Sequence, residues 1–133
     1  MIISMAISGL NHSISFKKSF DPVIGETFQA TIQSETKDNS CHVYVEQTSH
    51  HPPINHFLIE DDDHKYKVYG YYEHKGDFKM KANEVIYWFE GPTTVEFADG
   101  HKITFEWPHF RCKQMKQLYC EGQMVFKDET NNN

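Results

Sequence analysis

The chain has 133 residues and a formal net charge of −6, with 13 lysines and arginines against 19 aspartates and glutamates. Such a charge argues against nucleic-acid binding, which needs a basic surface, and against simple electrostatic adhesion to anionic membranes. The length fits one domain with a modest core. The three cysteines have no metal-type spacing and are typical of reduced thiols in the cytosol.

The first ten residues are mostly apolar, and two interpretations of them stay open. Ile3, Ile7 and Leu10 would lie on one stripe of a short buried helix, whose end Gly9 weakens. A buried strand would show much the same pattern. The segment lacks the basic leader and clear cleavage site of a signal peptide, and we interpret it as a short N-terminal helix.

Residues 18–26 have the composition of a rigid turn between this helix and the rest of the chain. Asp21 precedes a proline and is pushed away from helical geometry, while Pro22 fixes its own φ. Gly25 is suited to a positive φ immediately before the first strand. Taken alone, the segment is more typical of a connector than of a binding site.

From residue 27 onward, apolar and polar residues alternate with the period of two that a half-buried strand requires. The alternation predicts strands on Phe28, Ala30 and Ile32, on Val43 and Val45, on Ile103, Phe105 and Trp107, and over 57–60, 66–72, 85–89, 93–97 and 118–127. Turn-forming residues separate them at 37–40, 61–63, 74–77, 91–92 and 99–100. We therefore predict a mostly β fold, an antiparallel meander without βαβ units.

A sheet of this kind exposes its edges unless it closes, and a barrel is the usual closure. Wide barrels also enclose cavities of lipid size. The aromatic content of 14% would line such a cavity or fill an ordinary core equally well. Composition does not decide between the two.

Residues 46–53, with the sequence EQTSHHPP, are the most distinctive segment. The two prolines remove two backbone donors, so the strand ladder must stop there or lie at an edge. In an extended chain His50 and His51 would point to opposite faces, and sharing one site requires local bending. Two imidazoles beside Ser49 offer several donors suited to a phosphate. The chain has nine histidines, however, so an adjacent pair by chance is an equally valid interpretation.

Metal binding and nucleophilic catalysis are less well supported. His50, His51, His56 and His64 near 61–63 resemble a ligand cluster, but there is no His-Glu-x-x-His helix and no paired cysteine spacing. The acidic triplet is more typical of a solvated turn. Ser49 lacks a Gly-x-Ser-x-Gly elbow, and sequence neighbours rarely have triad geometry. We predict no metal, no cofactor and no catalytic residue.

Residues 46–53 resemble the signature of the oxysterol-binding-protein-related family, usually written Glu-Gln-x-Ser-His-His-Pro-Pro, and the match is very specific. Residues 20–28 resemble the family's Phe-Asn-Pro-Leu-Leu-Gly-Glu-Thr-Tyr segment at the right distance upstream. Residues 5–9 resemble the small-residue helix before it. The downstream strands through 119–122 are compatible in order and spacing, but far less specific.

The resemblance implies a large, nearly closed antiparallel β-barrel around a lipid tunnel, covered by an N-terminal lid. It implies binding and intermembrane transfer of one lipid at a time, phosphatidylinositol 4-phosphate being exchanged with a sterol or phosphatidylserine. The headgroup phosphates would be held by His50, His51 and Lys18. The implied setting is the cytosol, with peripheral contact to organelle membranes and no enzymatic activity.

Two departures from the family pattern stand out. Asp21 replaces the usual asparagine, which keeps the turn but adds a negative charge near the phosphate site. The family domain is also roughly two to three times longer, so residues 1–133 are expected to be a partial domain without the lid and the C-terminal part. Strand edges would then be exposed and self-association is expected. The alternative is a small β-rich interaction module, or a truncated fragment without transfer activity.

Overall fold

The structure is a computed structural model that describes residues 22–34, 36, 38–80, 84–113 and 117–130. The described residues form ten strands, and the predicted mostly β fold is confirmed. The predicted N-terminal helix lies outside the described residues. The strands are β1 (Thr27–Gln33), β2 (Ser40–His50), β3 (Pro53–Asp61), β4 (Tyr66–Lys79), β5 (Glu84–Glu90), β6 (Thr93–Phe97), β7 (Lys102–Phe105), β8 (His109–Lys113), β9 (Gln117–Glu121) and β10 (Phe126–Asp128).

All paired strands run antiparallel in one sheet, and from β1 to β5 neighbours in the sheet are neighbours in the chain. The order then branches. The second half of β4 pairs with β5 and its first half pairs with β6, so the two strands lie end to end along the same edge. One arm continues from β5 to β8 and β9, and the other from β6 to β7 and β10. Within the described residues, no helix is long and apolar enough to cross a membrane.

Two predicted boundaries are wrong. The expected turn at 74–77 lies inside β4, where Gly76 and Asp77 pair with β5. Turn propensity is overridden there because His74 packs among aromatic rings and the Lys75 ammonium lies 2.5 Å from the Glu73 carboxylate. The expected single strand over 118–127 is two strands, β9 and β10, with Gly122 between them at φ 106°.

A close backbone approach fixes the branch point. The Pro92 carbonyl oxygen lies so near Gly70 that a Cβ atom at Gly70 would overlap it. Gly91, at φ 133°, approaches the Tyr71 backbone in the same way. Because these two glycines have no side chain, the chain can leave β5, cross the edge of β4 and resume as β6.

The sheet has an apolar face, called the core face here, and an opposite, outer face of mixed polarity. Alternation places Val43, Val45 and Phe105 on the core face, as predicted, and pairing with β2 places the Phe57 ring there too. Its most buried part lies under the β6 arm, where Val68, Val95 and Phe105 are 1–3% exposed. β7 ends at Phe105, so Trp107 lies beyond the strand. Its ring still contacts Phe105, and its indole nitrogen donates to the Thr93 hydroxyl at 3.1 Å.

We predict that Gly70→Ala destabilises the protein by about 1–3 kcal/mol, because the new methyl group overlaps the Pro92 carbonyl and forces the branch apart. The matched control is Gly76→Ala in the same strand, where the nearest atom to a new Cβ is 3.8 Å away. We expect that change to stay within about 0.5 kcal/mol. Urea unfolding of both variants measures the difference. Equal midpoints would contradict the assigned branch point.

Candidate functional site

The turn at 22–26 is bound to the end of β2. The Gly25 amide donates to the Gln47 carbonyl at 2.7 Å, and the Gln47 amide donates to the Glu26 carbonyl at 3.0 Å. The turn is closed by the Glu26 amide, which donates to the carbonyl of Val23 at 2.9 Å. Gly25 has φ 78°, as the sequence predicts. Lys18, the predicted phosphate ligand upstream of this turn, lies outside the described residues, as does Asp21.

A β-bulge changes which way β2 faces near its end. The pairing with β3 runs from Gln47 opposite Asn55 directly to Ser49 opposite Ile54, so Thr48 is the extra residue. Before the bulge, odd-numbered residues of β2 face the core. After it, the alternation is reversed, and His50 returns to the face that Gln47 occupies.

The two signature histidines lie at the tip of the β2–β3 hairpin. His50 pairs with Pro53, and only His51 and Pro52 form the turn between them. The His51–Pro52 peptide bond is cis. The two imidazole centroids are 4.4 Å apart, with ring planes inclined by 52°, and both residues are exposed. The bulge and the tight turn supply the bending that an extended strand lacks, so the imidazoles converge on one site.

Behind the pair lies a buried amide. Gln47 is 1% exposed, and its side-chain nitrogen lies 3.3 Å from His50 Nδ1. Its side-chain oxygen is buried and has no hydrogen-bond partner among the residues that the structure describes. Such an atom is uncommon in native interiors and calls for an explanation.

The core face of the β5 arm carries an aromatic cluster, defined as Tyr72, His74, Tyr87, Phe89 and Phe110. Successive ring centroids lie 5.0–6.0 Å apart, mostly edge to face. The Asn55 amide nitrogen lies 3.1 Å from His74 Nε2, and the other ring nitrogen of His74 contacts the Tyr87 hydroxyl. Burial raises the pKa of Tyr72, so its phenol stays neutral near pH 7. The core face therefore passes from polar groups at the hairpin tip to a ring-lined surface.

The other residues of the supposed metal cluster lie apart from the histidine pair. His56 faces outward and its Nδ1 contacts the Thr48 hydroxyl at 2.8 Å. His64 lies in the β3–β4 loop, where Asp61 accepts from the Asn39 side chain and the Lys65 amide. The sequence offered these residues as neighbours, but strand geometry separates them.

Sequence reasoning did not anticipate a groove on the outer face. It encloses about 810 Å³, open to solvent, and its lining includes Tyr44, Leu58, Tyr69 and Tyr71 but neither signature histidine. Alternation alone does not reveal such a concavity, because it assigns residues to a face and not the shape of that face. Chemistry, rather than size, therefore favours the hairpin tip as the candidate site.

Comparison with known proteins agrees with the fold and the motifs. The family described as Oxysterol-binding protein matches residues 1–131. Oxysterol-binding protein 9 of Dictyostelium discoideum is 35% identical over 98% of this chain and 30% of its own length. The chain belongs to the oxysterol-binding protein family. Another relative, oxysterol-binding protein-like protein OBPa of Candida albicans, is 37% identical over 84% of this chain and 24% of its own length.

A solved structure shares the fold of this family member. It is described as the Osh3 ORD of Saccharomyces cerevisiae in complex with PI(4)P, and it superposes with a TM-score of 0.77 at 19% identity. The superposition covers 96% of this chain and 35% of the yeast one. The ten-stranded sheet thus has the fold of part of a β-barrel lipid-binding domain. The chain spans about 30% of the length of the Dictyostelium relative.

Proposed function

We propose that this oxysterol-binding protein family member binds a phosphoinositide, phosphatidylinositol 4-phosphate, with the headgroup at the tip of the β2–β3 hairpin. The observation that carries the proposal is the convergence of the His50 and His51 rings, 4.4 Å apart, at the end of the core face. The yeast neighbour of the same fold is described in complex with PI(4)P, which supports the ligand class.

The chemistry of the tip suits a phosphate monoester. Each imidazole donates at least one hydrogen bond, and each gains a second donor and a positive charge on protonation. Charge-assisted hydrogen bonds to phosphate are among the stronger polar contacts in proteins. Lys18, three residues before the Asp21-Pro22 step, is proposed as the ammonium that completes this part of the headgroup site.

The core face supplies surface for the apolar part of a lipid. An acyl chain or a sterol would lie along the side that begins at His50 and continues over the aromatic cluster. We propose exchange of the phosphoinositide for a sterol or phosphatidylserine between organelle membranes in the cytosol. Binding and transfer in this form need no cofactor and no catalytic residue. Residues 1–133 would be part of a longer lipid-binding domain.

We expect replacement of both His50 and His51 by alanine to weaken phosphatidylinositol 4-phosphate binding by about 100-fold or more. Loss of two charge-assisted hydrogen bonds removes on the order of 3 kcal/mol. Lys18→Ala should act in the same direction, more weakly. Titration with vesicles containing the phosphoinositide measures the affinity.

The matched control replaces His42 and His101, which lie away from the hairpin tip, by alanine. It removes the same number of imidazoles from the chain and should leave the affinity unchanged. Equal losses in both double variants would show that histidine content, rather than this site, governs binding. An unchanged affinity in the His50/His51 variant would exclude the pair from the site.

We also propose that the 133-residue chain self-associates through β1, which lies at one end of the strand order. Phe28 and Ile32 on this strand are 60% and 56% exposed although they belong to the apolar face. Replacement of both Phe28 and Ile32 by serine should convert a dimer or larger species to a monomer. Size-exclusion chromatography with light scattering measures the change. Serine at Gln29 and Gln33, on the opposite face of the strand, is the control. A wild-type monomer would contradict the proposal.

A further inference from the structure

The buried amide of Gln47 is not explained by the fold alone. Both backbone groups of Gln47 are held by the turn at 22–26, at 3.0 Å and 2.7 Å, so the residue cannot shift along the strand. Its side chain enters the core face with 1% exposure. One end of the amide lies 3.3 Å from His50 Nδ1, while the oxygen at the other end has no partner in the described part of the chain.

The reversal of alternation at Thr48 is what creates this contact. Without the bulge, residues three apart along a strand would lie on opposite faces. Because Thr48 is the extra residue, Gln47 and His50 share the core face at the end of the ladder. The amide is therefore behind the imidazole, on the side away from the exposed hairpin tip.

The contact decides which ring nitrogen of His50 faces a ligand. When the Gln47 amide nitrogen donates to Nδ1, the neutral ring carries its proton on Nε2, and Nε2–H remains as a donor. A ring that is protonated on both nitrogens needs an acceptor at Nδ1 instead. Rotation of the Gln47 side-chain amide by 180° exchanges its nitrogen and oxygen, and the oxygen then lies next to Nδ1 as the acceptor.

We propose that Gln47 is the positioning residue of the headgroup site. Its buried amide fixes the orientation of the His50 ring and keeps Nε2–H directed to a phosphate, and its unpaired oxygen is the acceptor for the doubly protonated ring. This inference rests on the proposed function, because it assumes that His50 binds the headgroup phosphate. Groups that orient a metal-ligating histidine through its second nitrogen commonly change metal affinity 10- to 100-fold, and an effect at the lower end of that range is expected here.

The test is a double-mutant cycle between Gln47→Leu and His50→Ala, with binding of a water-soluble short-chain phosphatidylinositol 4-phosphate as the readout. Gln47→Leu should weaken binding on the order of 10-fold in the wild-type background. In the His50→Ala background it should have no further effect, since Gln47 acts through the ring. Full additivity of the two losses would overturn the proposal.

Stability provides a second, independent readout. Leucine removes a half-paired buried amide, so Gln47→Leu should unfold at the same urea concentration as wild type or a higher one. Thr93→Val is the matched control, because Thr93 is a buried polar residue that binds Trp107 and not His50. That variant should retain full affinity. If Gln47→Leu and Thr93→Val both lose stability and affinity, Gln47 has only a structural role and the proposal is wrong.

Nitrogen-15 spectra of the ligand-free protein test the contact directly. At pH 8 the wild-type His50 ring should show a proton on Nε2 and none on Nδ1. In Gln47→Glu the ionised side chain can only accept, so Nδ1 should become protonated. Identical Nδ1 signals in the two proteins would overturn the proposal even if the phosphoinositide binds. Absence of phosphoinositide binding by wild type, with the expected spectra, would instead reject the proposed function and leave the contact between Gln47 and His50 established.

Discussion

The close approach of the Gly70 backbone to the Pro92 carbonyl is the constraint on which the architecture depends. It lets one long strand, Tyr66–Lys79, present the same edge to two successive strands. The sheet divides into two arms at that point, and the two arms have different side chains on the core face. The β6 arm folds its apolar side chains around Val95 and Phe105 into a buried core. The β5 arm carries the aromatic cluster. The contact between Gly70 and Pro92 therefore separates the arm with the buried core from the arm lined by aromatic rings.

The hairpin tip depends on a second backbone feature, the single extra residue at Thr48. A regular ladder would direct His50 to the outer face, where Glu46 and His56 lie exposed. The bulge returns His50 to the apolar side and places Gln47 behind it. The turn at 22–26 then binds both backbone groups of Gln47. The motif at 46–53 is continuous in sequence, but its conformation is therefore held by contacts with a separate segment, the turn at 22–26.

Sequence reasoning recovered the strands whose two faces differ in polarity, such as the one containing Val43 and Val45, because burial imposes the period of two directly. It failed at 74–77, where Gly76 and Asp77 suggested a turn and pairing with β5 kept the strand extended. Local propensity carries no information about a partner strand. The same limit hid the bulge, since Thr48 is as polar as its neighbours. The histidine pair was predicted from the motif, but its convergence and the contact with Gln47 follow from register.

The charges explain why recognition would be local rather than general. On a chain with a net charge of −6, Lys65, Lys75 and Lys102 each lie within 3.2 Å of a carboxylate oxygen. Glu96 is partly desolvated, which raises its pKa, but hydrogen bonds from Lys102 and Tyr69 outweigh this and lower it, so Glu96 stays charged and paired. These paired ammonium groups offer little long-range attraction to an anionic bilayer. Under the proposed function, attraction would come mainly from short-range donors such as the two imidazoles, which act when a phosphate is within hydrogen-bond reach. Under the proposed function, affinity for a membrane would reside in the lipid headgroup that the site binds rather than in the charge of the bilayer surface.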